Sequence, residues 1–375
     1  MVKHDRHEEP LLLDRIRLQQ VRGVGPRLMQ LLLEHFGTAS GVFSADRRRL
    51  LAVPRIGSSI ADAIDTAMSR SDAAQIVARC RETGIGLIAR DSPSYLPLLA
   101  EIPDPPEVLY TRGQLETVDQ VSVAVVGSRR CTSYGRRMAE RLAGGLARAG
   151  VTVVSGLARG IDGVAHRAAL EVGGRTIAVL ATGVDRMYPP EHVDLAIEIE
   201  RYGAIVSEAP LGQGPLPGLF PQRNRIISGL SLAVLVVEAA RRSGAQHTAR
   251  HAMEQGRDVL AVPGPVDSLA SQGCLDLLRD GATLITSVED VLEALGPLMH
   301  PVQVGTQTPI HVPRELVLDD RERQVLACIG PDPRHLDDLL RRSPLDPSTT
   351  LAVLTGLELR RLVERLPGSY LVRIG

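Results

Sequence analysis

A series of short apolar runs, rich in β-branched residues, alternates with helix-patterned stretches between residues 119 and 295 and limits the fold more than any other feature. Such runs are typical of buried strands. Strands that alternate with helices predict a parallel sheet covered by helices on both faces. The expected fold class is therefore α/β, a Rossmann-like, doubly wound and mostly parallel sheet. The predicted strands are Val121–Val126, Val151–Ser155, Thr176–Ala181, Ala204–Ser207, Leu232–Val237, Val259–Val262 and Thr283–Ile285.

The sequence before the sheet predicts a small helical domain. Gly23-Val24-Gly25 and Arg55-Ile56-Gly57 each separate two helix-patterned stretches. A glycine turn between two helices is typical of a helix-hairpin-helix, and the free amides of the second helix can face a phosphate. The repetition favours a tandem helix-hairpin-helix, or SAM-like, domain. Contact between these hairpins and DNA is left open by the pattern.

The sequence after the sheet predicts a linker and a winged helix. Residues 298–314 are rich in proline and lack a period, and residues 315–375 show three helical patterns followed by a β-hairpin pattern. The third helix is not notably basic, so contact with a protein is as consistent with it as contact with DNA. The predicted division is a disordered tail (1–10), the helical domain (11–70), a lead-in packed on the core domain (71–116), the Rossmann-like domain (117–297), the linker (298–314) and the winged-helix domain (315–375).

Composition excludes several classes of protein. The net charge is −1, so a site for a polyanion must be local. Lys3 is the only lysine, and positive charge comes from arginine, which suits bidentate contact with phosphate. No pair of the four cysteines has CxxC spacing, and no apolar run is long enough to span a membrane. A cytoplasmic protein without contact to a membrane is expected.

Glycine, serine and arginine recur where the predicted strands end. Gly127-Ser128-Arg129 follows the first strand and precedes a helix, where free amides and the helix dipole favour an anion. Carboxyl ends of parallel strands meet at one edge of a sheet, so the arginines at these ends should cluster there. The pattern predicts a site for a polyanion. Its arginines are Arg129, Arg130, Arg159, Arg223, Arg225, Arg241 and Arg242.

The strand ends lack the motifs of the common cofactor and catalytic sites. There is no GxGxxG after the first strand, no GxxxxGK[ST], no HExxH and no Ser-His-Asp order. Asp162 and His166 lie four residues apart on one predicted helix and could serve as acid and base, although hydrogen bonding to the nearby loop is the favoured interpretation. No enzyme activity, cofactor or metal is expected.

The strand-end segments, taken together, resemble the DprA (Smf) family of bacterial DNA-processing proteins. The resemblance covers the whole α/β domain, and the helix-hairpin-helix and winged-helix flanks also match members of the family. It rests on Gly127-Ser128-Arg129, the block from Ser155 to His166, Thr182-Gly183-Val184-Asp185 with Tyr188-Pro189, the block from Phe220 to Ile227, Val237-Glu238-Ala239, and Ser243-Gly244 with Thr248-Ala249.

The resemblance implies a binding protein for single-stranded DNA rather than an enzyme. It also implies a homodimer formed through the Rossmann-like domain, and loading of the RecA recombinase onto the strand with displacement of single-strand-binding protein, in natural transformation and homologous recombination. The DNA-binding residues it implies are Gly127, Ser128, Arg129, Ser155, Gly156, Arg159, Gly160, Phe220, Arg223, Asn224, Arg225, Ser243 and Gly244. The residues expected to support the pocket are Asp162, His166, Thr182, Asp185, Glu238 and Thr248.

Two other functions are consistent with parts of the sequence. Related Rossmann-like folds include phosphoribohydrolases, which process nucleotides, but their Pro-Gly-Gly-x-Gly-Thr-x-x-Glu loop is absent and Pro263-Gly264-Pro265 is only a partial counterpart. The C-terminal domain could instead regulate transcription, and its weakly basic third helix argues against this.

Overall fold

A computed structural model describes residues 9–296, 320–329, 334–359, 363–366 and 368–373. Residues 1–8 of the predicted tail and all of the predicted linker, 298–314, lie outside these ranges. The first helix begins at Glu9, so the last two residues of the predicted tail are helical. No helix in the described part of the chain combines the length and the apolar character needed to cross a bilayer.

A nine-stranded sheet forms the centre of the protein, with the strand order β1-β2-β6-β5-β4-β3-β7-β8-β9. Neighbouring strands from β3 to β9 pair in parallel, and the edge strands β1 and β2 add antiparallel pairs. The expected mostly parallel Rossmann-like sheet is confirmed. The strands are β1 (Gly86–Ala89), β2 (Val108–Gly113), β3 (Ser122–Gly127), β4 (Thr152–Ser155), β5 (Thr176–Leu180), β6 (Ala204–Ser207), β7 (Ala233–Glu238), β8 (Asp258–Ala261) and β9 (Thr283–Leu284).

Helices cover both faces of this sheet because its strands are apolar on both sides. In β3, Ala124 and Val126 pack into one core and Val123 and Val125 into the other. The helices up to the end of the sheet are α1 (Glu9–Gln19), α2 (Pro26–Phe36), α3 (Ala39–Phe43), α4 (Arg47–Leu51), α5 (Ser58–Arg70), α6 (Ala73–Thr83), α7 (Pro97–Ala100), α8 (Ser133–Arg148), α9 (Ile161–Glu171), α10 (Val193–Tyr202), α11 (Leu219–Gly229), α12 (Gly244–Glu254), α13 (Gln272–Arg279) and α14 (Val288–Leu295).

The N-terminal domain contains the predicted pair of helical hairpins. Gly23 and Arg55 occupy equivalent turn positions, with φ of 92° and 68°, and Gly25 and Gly57 follow in extended conformation before α2 and α5. The tandem helix-hairpin-helix is confirmed. Arg55 shows that this turn position can be filled without glycine, in a left-handed conformation that side chains rarely adopt.

Helix α1 fastens this helical domain to the sheet. Its residue Ile16 is fully buried in the core that also contains strands β2 and β6. The side chain of Arg15 pairs with Asp91 at 2.6 Å, and Gln19 Nε2 donates to the carbonyl of Glu208 at 2.5 Å. The hairpins are therefore held in a defined position beside the carboxyl end of β6.

The C-terminal domain has the winged-helix arrangement that the sequence predicts. Its helices are α15 (Asp320–Ala327), α16 (Leu336–Arg342) and α17 (Pro347–Leu359), and its strands are β10 (Arg334–His335), β11 (Val363–Leu366) and β12 (Tyr370–Arg373). The three strands form an antiparallel sheet in the order β10-β12-β11. Leu354, Leu357 and Leu371 are buried in its core.

Candidate nucleic-acid interface

The candidate site lies where the order of the parallel strands reverses, between β3 and β7. Ligands of open α/β sheets bind at this position, outside the carboxyl ends of the strands. The pairing of β3 with β7 shifts between Val126 and Gly127, and Ser128 N donates to the carbonyl of Glu238 at 2.7 Å. The ladder is therefore irregular where the loop after β3 begins, and this loop contacts the loop after β4 through the hydrogen bond from Ile161 N to Ser128 O.

The start of helix α8 is already occupied by a carboxylate of the protein. The buried side chain of Glu238 accepts a hydrogen bond from Thr132 N at 3.1 Å and another from the Thr132 hydroxyl. A Cβ at Gly135 would lie 2.6 Å from Glu238 Oε2. The expectation of an open helix N-terminus after the first strand is therefore wrong, because Glu238 fills the position of an external anion.

The loops after β3 and β4 touch each other at Gly160. This residue has φ of 73°, and a Cβ on it would lie 2.1 Å from the carbonyl oxygen of Ser128. Ile161 N donates to the same Ser128 oxygen at 3.1 Å. The predicted Gly127-Ser128-Arg129 and Ser155–Gly160 segments thus form adjoining walls, as the strand-end argument requires. Ser155 itself is buried, and its hydroxyl donates to the carbonyl of Val125 at 2.6 Å.

Asp162 and Arg223 form hydrogen bonds to the backbone of the loop after β4. Asp162 Oδ2 accepts hydrogen bonds from Gly156 N at 3.2 Å and from Ala158 N at 3.4 Å. The guanidinium of Arg223 donates to the carbonyl of Gly156 at 2.6 Å and to that of Val179. Burial raises the pKa of Asp162 and lowers the pKa of Arg223 to about 10, and each group's charge partly offsets the effect on the other. Through these contacts, Asp162 and Arg223 stabilise the conformation of the loop after β4.

His166 is buried on helix α9, as Asp162 is, and is uncharged at neutral pH. Thr176 Oγ1 donates to the carbonyl of Val153, so it accepts from His166 Nδ1, which lies 2.7 Å away. The imidazole therefore carries its proton on Nδ1, and Nε2 has no hydrogen-bond partner among the described residues. Burial lowers the pKa of His166 to about 3, and His192 adds to the effect. His166 is fully buried and Asp162 is 7% exposed, which leaves little access for acid-base chemistry on a ligand.

The predicted arginine cluster separates into three groups. Arg223 and Arg225 are buried, and Arg225 pairs with Glu208 at 2.8 Å and with Asp104 at 3.1 Å. Arg159 and Arg241 are exposed but form ion pairs with Glu191 and Asp276. The remaining three are exposed and have no ion pair among the described residues: Arg129, Arg130 and Arg242. Positive charge available to a ligand is thus smaller than the sequence suggests.

Arg129 takes part in the aromatic group of the site. Its guanidinium carbon lies 5.2 Å from the centre of the Phe220 ring, and the ring of Tyr188 lies 5.9 Å from that of Phe220 with an interplanar angle of 57°. Phe220 and Tyr188 are both partly exposed. We call Arg129, Tyr188 and Phe220 the stacking platform. Tyr188 was not singled out from the sequence, although its position in the loop after the third predicted strand, in a chain with few aromatics, could have indicated it.

Helices α11 and α12 meet at the remaining predicted binding residues. Asn224 is buried, and its Nδ2 donates to the carbonyl of Gly244 at 3.2 Å. Ser243 precedes α12, and its hydroxyl makes no hydrogen bond among the described residues. Thr248 is buried on the same helix. Gly244 is exposed, whereas the Ser243 hydroxyl is buried, so Gly244 forms the accessible part of this group.

Thr182 and Asp185 shape the loop after β5. Thr182 Oγ1 donates to the carbonyl of Arg186 at 2.6 Å. Asp185 accepts from Gly212 N at 2.8 Å and pairs with Arg79 at 3.2 Å. The loop that carries Tyr188 is thereby tied to neighbouring segments. Within the described residues, no group of three or more His, Cys, Asp and Glu side chains could hold a metal ion.

Comparison with known protein families finds a separate match for each of the three domains. A family model described as DNA recombination-mediator protein A matches residues 86–296. Models described as the DprA winged helix domain and as a SAM-like helix-hairpin-helix tandem match residues 311–369 and 16–64.

Individual relatives extend the similarity over most of the chain. Protein Smf of Synechocystis is 36% identical over 379 residues, which cover 93% of this chain and 95% of that protein. The crystal structure of DNA processing protein A from Streptococcus pneumoniae shares 35% identity and a TM-score of 0.66, over 75% of this chain and 97% of that one. A structure of DNA processing protein A from Helicobacter pylori, described for its single-stranded DNA binding mode, shares 30% identity and a TM-score of 0.52, over 58% and 97%.

Proposed function

The chain belongs to the DprA (Smf) family of DNA-processing proteins, and on that premise we propose that it binds single-stranded DNA at the carboxyl ends of β3, β4 and β5. The observation that carries the proposal is the stacking platform: the guanidinium of Arg129 has no ion pair among the described residues and lies over the partly exposed ring of Phe220. The description of the Helicobacter pylori relative as a binder of single-stranded DNA supports this ligand.

A platform of this kind favours a single strand over a duplex. Bases of a single strand are free to stack on Phe220 and Tyr188, whereas the bases of a duplex are already stacked on each other. Arg129, with Arg130 and Arg242 farther along the edge, supplies charge for the phosphates. In this proposal the buried Arg223 and Arg225 support the loops from inside, and Arg159 reaches phosphate by exchanging its pairing with Glu191.

The proposed role is to bind and load, without catalysis. The bound strand would be passed to RecA, with displacement of single-strand-binding protein, in the cytoplasm during transformation and recombination. The polar groups Asp162 and His166, which could have suggested acid-base chemistry, are enclosed and serve the loops around them. The direct test is RecA-driven strand exchange on an oligonucleotide coated with single-strand-binding protein. Addition of this protein should shorten the lag, and an unchanged lag would contradict the loading role.

A homodimer through the Rossmann-like domain is part of the proposal. Strand β9 lies at an edge of the sheet, and its residue Leu284 is 52% exposed. An edge strand with an exposed apolar side chain offers both backbone groups and apolar surface to a second chain. Substitution Leu284→Lys should convert the dimer to a monomer in analytical ultracentrifugation, whereas Tyr202→Lys, at an exposed residue of α10, should leave it unchanged.

DNA binding is tested by fluorescence anisotropy with labelled oligo-dT. Arg129→Ala removes one free charge from the platform and is expected to weaken binding about tenfold and to reduce the steepness of its salt dependence by about 0.7. Arg241→Ala is the matched control, because it removes an exposed strand-end arginine that is already paired with Asp276. Equal binding by the wild type and Arg129→Ala would show that the site is placed wrongly.

A further inference from the structure

The two exposed strand-end arginines that form ion pairs differ in how their carboxylate partners are engaged. Arg241 pairs at 2.6 Å with Asp276, and the same carboxylate also pairs with Arg279 at 3.1 Å. Arg159 and Glu191 form ion pairs only with each other among the described residues, and their side chains are 55% and 46% exposed. The pairing of Arg159 with Glu191 can therefore be exchanged for a ligand without disturbing any other ion pair.

The backbone on both sides of this ion pair is held by a buried contact. His192, the neighbour of Glu191, donates from Nδ1 to the carbonyl oxygen of Leu157 at 2.9 Å, and both residues are buried. Leu157 lies two residues before Arg159, in the loop after β4. The fold therefore keeps the guanidinium of Arg159 and the carboxylate of Glu191 within reach of each other, on loops that are fixed to one another.

The ion pair lies beside the stacking platform. Glu191 follows Tyr188 by three residues in the loop after β5. Glu191 raises the pKa of Arg159, and Tyr188 adds a smaller effect, which places the guanidinium next to the tyrosine. Arg159 in turn lowers the pKa of Glu191, so the carboxylate is charged at neutral pH.

Carboxylate and phosphate oxygens accept hydrogen bonds from the same donors of a guanidinium. A strand with a base stacked on Tyr188 brings its phosphates close to a guanidinium that already has an anionic partner. Contact between Arg159 and a phosphate then requires the carboxylate of Glu191 to leave, and that carboxylate remains nearby because its backbone is fixed.

We propose that Glu191 competes with the DNA backbone for Arg159 and thereby limits the affinity and the lifetime of the complex with a single strand. The proposal rests on the proposed function of the platform and adds a release step to it. Glu191 pairs with Arg159 in the free protein, yields it to a phosphate when the strand binds, and pairs with it again as the strand leaves. Such competition suits a protein that passes its strand to a partner.

The test uses Glu191→Gln in the full chain, because glutamine keeps the shape of the side chain and removes its charge. Fluorescence anisotropy with labelled oligo-dT should give a Kd about fivefold lower than that of the wild type, the upper range for an exposed ion pair. Dissociation, followed after addition of excess unlabelled oligo-dT, should slow by about the same factor. In the Arg159→Ala background, Glu191→Gln should change the Kd by less than about twofold, because the contested guanidinium is absent.

The matched control is Glu198→Gln, which removes an exposed carboxylate of α10 that has no ion pair among the described residues and should bind as the wild type does. Equal tightening by this control, or by Glu191→Gln in the Arg159→Ala background, would overturn the inference, since general repulsion of the strand would then explain the effect. Unchanged or weaker binding by Glu191→Gln would also overturn it. Failure of the platform itself gives a different result: Arg129→Ala would then bind oligo-dT normally.

Discussion

Replacement of Arg223 by methionine should destabilise the fold far more than any change at Arg129. The guanidinium of Arg223 is enclosed and donates to the carbonyl oxygens of Gly156 and Val179. Methionine keeps the aliphatic volume but leaves both acceptors and the charge of Asp162 without their partner. Arg129, in contrast, is exposed, and within the described ranges its side chain makes no hydrogen bond to the loops.

The magnitude follows from these contacts. Each buried acceptor that loses its donor costs about 1–3 kcal/mol. Burial of the guanidinium is itself costly, as shown by the lowering of the pKa of Arg223 to about 10, and methionine recovers part of that cost. We expect a net loss of about 2–4 kcal/mol in the free energy of unfolding, and a fall in the melting temperature of about 10 °C for a domain of this size.

The pH dependence of the stability of Arg223→Met should identify Asp162 as the buried charge that the substitution leaves without a counter-charge. Its pKa in the folded protein is raised by burial, and Arg223 opposes that rise, so Arg223→Met raises it further. A carboxyl group with a raised pKa stabilises the fold below its ordinary value of 3.8 and loses this contribution as pH rises through the folded value. The difference between wild type and Arg223→Met should therefore shrink on acidification from pH 8 to pH 5, and Asp162→Asn in the same background should abolish the trend.

Circular dichroism in urea is the suitable assay, because the chain has no tryptophan for fluorescence. Arg129→Ala serves as the control and should unfold as the wild type does. Wild-type stability of Arg223→Met together with lost DNA binding would refute the reasoning, since Arg223 would then have to act outside the protein interior. That result would restore the phosphate contact that the sequence suggested.

Three further predictions concern other contacts of the α/β domain. The pKa of His166 is lowered to about 3 from an ordinary 6.5, so acidification from pH 7.5 to pH 5 should cost the wild type about 2 kcal/mol through this group, and urea midpoints of His166→Asn should lack that part of the pH dependence. Asp119 is fully buried and contacts Arg175 and Thr152, so Asp119→Ala should lower the free energy of unfolding by about 3–5 kcal/mol. The affinity of this variant for oligo-dT, measured by anisotropy, should stay unchanged. Gly160→Ala should cost at least about 2 kcal/mol in urea unfolding and also weaken oligo-dT binding, and unaltered binding would show that the neighbouring loop does not form the site.

The sheet was predictable from the sequence because its strands are buried on both faces. Runs such as SVAVVG and AVLVVE are short, β-branched and apolar on both faces, as buried parallel strands are, and the predicted strands match β3–β9 to within one or two residues at each end. The strand order was not predictable in the same way. Apolar runs do not show which strands are neighbours, and the antiparallel strands β1 and β2 join the sheet at Ser207 and Ala204 of β6 through contacts distant in sequence.

The position of the candidate site was predictable from the sequence, but which of its arginines are free of ion pairs was not. Strand ends of a parallel sheet share one edge, so the convergence of Gly127, Arg129 and Gly160 follows from the strands alone. Whether an arginine faces a ligand depends on carboxylates supplied by other segments. Arg225 is neutralised by Asp104, which lies more than a hundred residues earlier, and no local pattern reveals that pairing.

This pairing has a consequence for how tightly the protein can hold a strand. The three unpaired arginines and Arg159, once it exchanges its pairing with Glu191, give at most four phosphate contacts in each protomer. Each contact on a single strand contributes about 0.7, so they limit the slope of log K against log salt to about −2.8. A steeper slope on a long oligonucleotide would then require a second protomer on the same strand. Comparison of the slope between the wild type and Leu284→Lys would measure that contribution directly, because a monomer keeps its own platform but loses the second set of arginines.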